Sequence, residues 1–270
     1  QNTANGVSTL YSNTTGYYNT ANGLQALFFN TTGYSNTANG MNALRSNTTG
    51  DDNTANGMNA LNSNTTGNQN TANGVGALRY NTSATSSTAY GYESGRGTTN
   101  YNNQGGVYVG YQSGYSAGTG SDYNNFLGYQ SGYGVTTGAN NILLGYRAGY
   151  SGANLTTGSN NIIIGHDIGA TSTTMTRGLN IGNLIFGTNL NGSGTTLSSG
   201  NIGIGTTSPL AKLDVAGTNN GTSPLFQLSS VANFATTTQF SVNNSGDVFV
   251  SGSTTLQNFT FLNATGTSAT

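Results

Sequence analysis

The chain has 270 residues, of which 42 are Gly, none is Cys or Trp, and only 5% are charged. Six Lys+Arg against seven Asp+Glu leave a net charge of -1, so no basic surface exists to neutralise nucleic-acid phosphates or an anionic membrane. Zero cysteines exclude a disulfide scaffold, a thiolate nucleophile and a cysteine zinc site, and the single histidine, His166, leaves most imidazole chemistry without its parts.

Hydrophobic residues make up 33%, too few to wrap the chain around one large core. The alternatives are disorder or an elongated stack of short elements, and self-comparison at fixed spacing separates them. Over residues 1–90, Gly6, Gly23, Gly40, Gly57 and Gly74 stand 17 apart, each preceded by Asn-Thr-Ala-Asn, and Gly91 follows at the same step. Leu10, Leu27, Leu44, Leu61 and Leu78 keep that step, as do the Asn-Thr-Thr-Gly blocks starting at Asn13, Asn30, Asn47 and Asn64. A coil of about 17 residues has room for two short strands and two tight turns, with Asn and Gly at corners that need positive φ. Stacked at about 4.8 Å, equivalent residues form ladders, and Asn2, Asn19, Asn36, Asn53 and Asn70 are placed to bond amide to amide.

Over residues 91–199 the wording changes while the beat continues through Gly110, Gly128, Gly145, Gly165 and Gly182, at steps of 19, 18, 17, 20 and 17. Two residues before the key glycine, Ala4, Ala21, Ala38, Ala55, Ala72 and Ala89 give way to Tyr108, Phe126, Leu143 and Ile163. Four residues after it, leucine gives way to Gly95, Gly114, Gly132, Gly149 and Gly169. If both positions point inward, small-then-large becomes large-then-small at constant core volume, as close packing demands. The expected core ladder includes Ala21, Leu27, Ala38, Leu44, Ala55, Leu61, Leu143 and Ile163.

Over residues 200–270 the beat is lost and alternation takes over. Phe240 and Val242, then Val248 and Val250, flank a Gly-containing loop and read as a hairpin. Leu225 to Leu228 and Leu256 to Leu262 are further strand candidates, too short to stand alone, which points to an interwoven β-prism or hairpin connector shared between chains. The reading is an all-β chain: a parallel β-roll, or β-solenoid, followed by that connector.

The blocks Asn-Thr-Ala-Asn-Gly and Asn-Thr-Thr-Gly, with Asn140-Asn141-Ile142-Leu143-Leu144-Gly145 and Asn160-Asn161-Ile162-Ile163-Ile164-Gly165, resemble the head repeats of trimeric autotransporter adhesins and of phage tail-fibre-like surface proteins. The stretch from Gly200 to Pro209, followed by Lys212-Leu213-Asp214-Val215, is similar to the segment before the terminal domains of many tail-fibre-like proteins. The resemblance covers residues 1 to about 190. It implies a left-handed roll, a homotrimer that can continue end to end as a filament, and a place on a bacterial cell surface or a virion. Heptad stalk, membrane-barrel strands and self-cleaving chaperone domain have no counterpart in these residues. Gln1 opens partway through a repeat, as expected of part of a longer secreted chain, and no membrane span is visible.

Candidate sites are few. His166 takes the place of Tyr92, Tyr111, Tyr129 and Tyr146 in earlier coils, so His166-Asp167 reads as ladder and surface rather than as a catalytic pair. Asp51-Asp52 sits on a turn and is a weak candidate for a cation. The turn residues Tyr17, Tyr18, Tyr34, Phe28, Phe29 and Tyr80 vary while the frame does not, which makes them candidate contacts for a glycan or a cell-surface receptor, or buried residues between chains. The Asn-Thr-Thr sequons are glycan acceptors on a surface turn or simple polar ladders. No cofactor and no enzymatic activity are expected. The expected function is an extracellular structural or adhesive fibre; a phage receptor-binding shaft, an ice-binding solenoid and a glycan-degrading tail fibre are the alternatives.

Overall fold

A computed structural model describes residues 1–217, 224–232, 235–243 and 248–250. The chain divides into two compact units, Gln1–Asp214 and Val215–Thr270. The first unit is a β-solenoid of stacked coils about 17 residues long. Its strands β1 (Thr3–Asn5), β2 (Thr20–Asn22), β3 (Thr37–Asn39), β4 (Thr54–Asn56), β5 (Thr71–Asn73) and β6 (Thr88–Tyr90) come from the regular repeats. Strands β7 (Val107–Val109), β8 (Asn125–Leu127), β9 (Ile142–Leu144), β10 (Ile162–Ile164) and β11 (Leu179–Ile181) come from the variant ones.

Each strand pairs in parallel with its own equivalent in the next coil: Ala4 with Ala21, Ala89 with Tyr108, Leu143 with Ile163. Loops of the longer coils therefore swell outside an unchanged register. Each coil holds one three-residue strand where two were expected, because left-handed corners interrupt the rest of it. In the regular coils these corners fall at three columns: Gln25, Asn42 and Asn59 (φ 57 to 60°), Leu27, Leu44 and Leu61 (φ 48 to 49°), and Ser35, Asp52 and Gln69 (φ 53 to 58°). No extended run survives so many reversals.

The key glycine is a contact as well as a corner. At Gly57 φ is +138°, and a Cβ would lie 2.5 Å from the carbonyl oxygen of Gly74 in the next coil. The coils touch backbone to backbone there, and only hydrogen fits.

The middle residue of each strand and the leucine column meet inside the coil. Ala21, Leu27, Ala38, Leu44, Ala55, Leu61, Leu143 and Ile163 are all fully buried. A leucine held at left-handed φ costs about 1–2 kcal/mol, while burying its side chain returns about 1.5–3 kcal/mol, so burial wins by a small margin. In the variant coils the leucine is replaced by glycine and the strand residue grows. A Cβ on Gly132 would lie 2.4 Å from the Phe126 ring, and one on Gly149 would lie 2.7 Å from Leu143. The two ways of filling a coil exclude each other sterically.

Buried asparagine ladders carry the polar interior. Asn36 donates its amide to Asn19 Oδ1 (3.2 Å) and to the carbonyl of Gly50 (2.8 Å), while Asn19 Oδ1 also accepts the Asn36 backbone N–H (3.0 Å). The pattern repeats at Asn53 and Asn70, and again at Asn141 and Asn161 in the variant coils. The amides of this ladder are thus paired with their copies and with backbone carbonyls, which offsets the desolvation cost of burying them.

The parallel order ends at Ile181. Gly182 and Asn183 both take left-handed φ (61° and 55°) and turn the chain back. Strand β12 (Ile185–Thr188) then runs antiparallel to β11, and β13 (Asn201–Ile204) antiparallel to β12, while β14 (Leu213–Val215) closes the same sheet. The sheet therefore continues past residue 200, across the point where the sequence rhythm changes. In the second unit β15 (Pro224–Ala232), β16 (Ala235–Asn243) and β17 (Val248–Val250) form an antiparallel sheet, with Phe240 opposite Val250 and Val242 opposite Val248. Leu225 to Leu228 lie in β15; the candidate strand Leu256 to Leu262 lies outside the described residues.

Two predictions follow from this interior. Phe126→Ala should cost about 3–5 kcal/mol by leaving a cavity, and Gly132→Leu about 1–3 kcal/mol by overpacking. The double variant should recover about 1–3 kcal/mol of that sum in denaturant melts, because it rebuilds the regular-coil arrangement; simple additivity would contradict it. The second concerns pH. Tyr101 and Tyr108 are buried, Tyr101 donating to the Gly95 carbonyl and Tyr108 accepting from Asn103 Nδ2, and burial pushes both phenols well above the usual 10.0. Below pH 10 folded and unfolded chains both keep these protons, so they add no pH dependence; above it the unfolded chain alone releases them. Stability should fall by about 1.4 kcal/mol per pH unit per phenol above pH 10, and less steeply in a Tyr108→Phe variant.

Candidate functional surfaces

Stacking turns each variable position into a column. The dyad that follows the Asn-Thr-Thr-Gly turn places Tyr17, Tyr34 and Asp51 one above another. Tyr17 and Tyr34 stack with ring centroids 5.1 Å apart and planes 7° from parallel, and Tyr18 packs edge-on against Tyr17. Asp51 Oδ1 accepts the backbone N–H of Tyr34 (2.9 Å), and the Asp51 N–H donates to Asn68 Oδ1 (2.8 Å). The negative charges of Asp51 and Asp52 hold the Tyr34 phenol above its ordinary value, with desolvation adding to the effect of Asp51. Both aspartates line a shallow cavity of about 320 Å³ with Tyr34, Asn68, Gln69, Thr85 and Ser86. Among the described residues no group of three or more His, Asp or Glu side chains is placed to hold a metal ion. The Asp51 carboxylate serves its neighbour's backbone.

On the column five residues after the key glycine, Tyr11 stacks on Phe28 (5.1 Å, 8°), and Phe28 meets Phe29 edge-on. Arg45 follows, its guanidinium 5.0 Å from the Phe29 ring centroid. Tyr80 is half-buried against the core and carries the guanidinium groups of Arg79 and Arg96, each 5.0 Å from its ring centroid. Further on, Tyr115 and Tyr133 stack at 4.8 Å. Tyr17, Tyr18 and Phe29 are therefore exposed, while Phe28, Tyr34 and Tyr80 are half-buried. Stacking neighbours cover faces of Tyr17, Phe28, Tyr34 and Tyr80, while Tyr18, 69% exposed and touched edge-on, keeps its ring open to solvent.

Of the column directly after the key glycine, sequence reasoning marked the ring ladder from Tyr92 to His166 but not its regular-coil members, although the 17-residue step points straight to them. The column reads Val7, Leu24, Met41, Met58 and Val75 in the regular coils, all at least 37% exposed. It continues as Tyr92, Tyr111, Tyr129, Tyr146 and His166, whose rings stack at 4.9 to 5.3 Å. His166 is thus the exposed last ring of a stack, and Asp167 pairs with Arg147 Nη1 at 3.2 Å. Beside this column the outward strand residues of the variant coils are also apolar except Asn125. Val107, Leu127, Ile142 and Leu144 are all exposed and line a shallow apolar cavity of about 350 Å³. The same outward positions in β2 to β5 carry Thr and Asn.

Three of the four sequons are inaccessible as glycan acceptors in the folded chain, whereas Asn13, in the first coil, is half-buried and donates to the Gly16 carbonyl (3.0 Å). Asn30, Asn47 and Asn64 are fully buried, and each Nδ2 donates both to the asparagine of the preceding coil (2.7 to 2.8 Å) and to a glycine carbonyl (2.9 to 3.1 Å). No helix among the described residues is long and apolar enough to cross a membrane. No family model, no curated protein and no solved structure matches this chain.

Of the six basic residues, Arg45, Arg79, Arg96 and Arg147 lie half-buried within coils, whereas Arg177 and Lys212 are exposed near and beyond the last parallel strand. Limited trypsin digestion should cut first after Arg177 and Lys212, since cleavage inside a coil requires it to open. Early fragments ending at Arg45, Arg79 or Arg96 would contradict this.

Proposed function

We propose that this chain is a segment of an extracellular structural or adhesive fibre, on a bacterial surface or a virion, in which three copies lie side by side along their solenoid axes. The observation that carries the reading is the exposed apolar column from Val7 to Tyr146, widened in the variant coils by Val107, Leu127, Ile142 and Leu144. A contiguous apolar strip of this kind is costly in water and marks an interface. It rises by one coil per residue, so the partner that fits it along its whole length is one with the same rise, and another copy of the chain has it. The number three rests on the resemblance to trimeric adhesin heads. Side-by-side copies convert weak individual contacts into avidity, which is the use an adhesive fibre makes of repetition.

The ice-binding and glycan-degrading alternatives have less support. In β2 to β5 the outward strand positions pair Thr with Asn, and the Asn amides are tied to one another (2.7 to 2.8 Å). The carboxylates Glu93 and Asp167 are each engaged by an arginine.

Light scattering should return about three times the 27.5 kDa chain mass. Placing charge on the strip with Leu127→Glu and Leu144→Glu should release monomers that keep the β spectrum, because both side chains are exposed within one chain. A monomer mass for the unaltered chain would overturn the reading.

A further inference from the structure

Among the described residues, like charges follow one another in one column. Arg79 and Arg96 are consecutive members of one column, so two like charges lie one coil apart, an arrangement that destabilises a sheet. Arg45 is two coils away in the same column, with Asn62 between them. Glu93 is the carboxylate paired with this group, 3.2 Å from Arg96 Nε, whereas Asp51, Asp52 and Asp122 share the dyad corner, where Asp51 and Asp122 accept backbone N–H groups. In a chain that is only 5% charged, cations gathered in this way need a reason beyond the fold.

The arginines are also prepared as donors. Each guanidinium lies over an aromatic ring: Arg45 over Phe28 and Phe29, Arg79 over Tyr80, and Arg96 over Tyr80 and Tyr115, at 4.9 to 5.6 Å. Stacking fixes the plane of each group; Arg45 Nε already donates to Gln25 Oε1 (3.1 Å) and Arg96 Nη1 to the Tyr115 hydroxyl (2.7 Å), so Arg79 is the member whose terminal N–H groups are uncommitted among the described residues. Arg79 has no ion pair among the described residues, and its Nε is buried without a hydrogen-bond acceptor. That Nε has no access to solvent, so an incoming carboxylate would meet the outer N–H groups of this half-buried side chain.

We propose that the Arg45, Arg79 and Arg96 column is a binding site for an acidic polysaccharide, a uronate chain lying along the solenoid axis with its carboxylates on the guanidinium edges. A 1,4-linked uronate chain advances by about one coil per sugar and carries one planar carboxylate on each. Successive sugars of an extended chain are rotated about its axis, so carboxylates on one face recur every second or third sugar, and Arg45 and Arg79, two coils apart, are the pair that a chain with the shorter recurrence would bridge. A polynucleotide fits less well: three arginines neutralise few phosphates, and the ring faces on which bases would stack are already covered. The site deepens the adhesive part of the proposed function and rests on that reading, while the cohesion of the fibre belongs to a different column.

The test is affinity electrophoresis of the full chain through gels containing sodium polygalacturonate, uncharged dextran or single-stranded polythymidylate. The unaltered chain should be retarded by polygalacturonate alone. Arg79→Gln with Arg96→Gln should weaken that binding by about tenfold or more, as expected for loss of charge-assisted hydrogen bonds. Arg177→Gln, off the column, should leave it unchanged. Arg79→Lys keeps the charge and loses the planar fork; with an unaltered melting temperature it should still bind several-fold more weakly, so the test survives if the double variant is unstable. Absence of retardation, equal retardation by polythymidylate, or unchanged binding in both the double variant and Arg79→Lys would overturn the proposal. Light scattering on the same samples separates the two readings: a trimer that ignores polygalacturonate overturns the site alone, and a monomer that binds it overturns the fibre alone.

Discussion

Each coil of the solenoid rests on a neighbour that carries the equivalent residue at the equivalent place, and this in-register parallel pairing governs the rest of the molecule. Ala21 lies between Ala4 and Ala38, and Thr37 between Thr20 and Thr54. A side chain that repeats must therefore be able to live beside itself. Asparagine can, because its amide both donates and accepts, and the Asn19 to Asn70 ladder uses both functions. Flat aromatic rings can, face to face, as in the stack from Tyr92 to His166. Ionised groups cannot without a partner, and that accounts for the low charge content better than solubility or compartment does.

The same constraint explains the backbone. A 17-residue circuit that returns to its starting register must turn sharply several times, and the turns fall on left-handed residues. Where leucine occupies such a corner, burial outweighs the strain; where glycine occupies it, the strain disappears and the strand residue fills the space. Alanine with leucine and phenylalanine with glycine are two solutions of one volume problem. Neighbouring coils of either kind stack because the strand register and the key glycine are common to both. At Gly74 and Gly91, on either side of the change in wording, φ stays at 142° and 134°.

Function follows from what the columns leave outside. The interior and the sheet ladders are occupied by cohesion, so recognition is confined to the corners and to the outward face of the strands. There the molecule presents two surfaces of different chemistry: an apolar strip that ends in stacked tyrosines, suited to a partner of identical rise, and a short arginine column whose guanidinium planes are already fixed. Within the stacks, ring faces that an isolated tyrosine would offer to a sugar are covered, and Tyr18 is an exception. What reaches solvent is a row of edges, hydroxyls and N–H forks, and polar recognition along a line is what such a row supports.

Much of this was legible in the amino-acid order. The coil length, the buried Ala/Leu columns, the asparagine ladder and the compensation between Ala55 with Leu61 and Phe126 with Gly132 all follow from a period that any ladder must obey. The hairpin joining Phe240 to Val250 was legible from alternation alone. What the order of residues could not decide depends on direction and on contact in three dimensions. The single strand per coil depends on how many corners turn left-handed, and Gln25 or Asp52 carries no local sign that it does. The end of the parallel stack at Gly182 and Asn183 looks in the sequence like one more beat. The sequons at Asn30, Asn47 and Asn64 have the composition of exposed turns, yet tertiary packing buries them because their amides complete the ladder. The exposed column from Val7 to Tyr146 is, residue by residue, an ordinary set of apolar side chains; only the coil geometry turns it outward, since burial is a property of the neighbours a residue acquires and not of the residue itself.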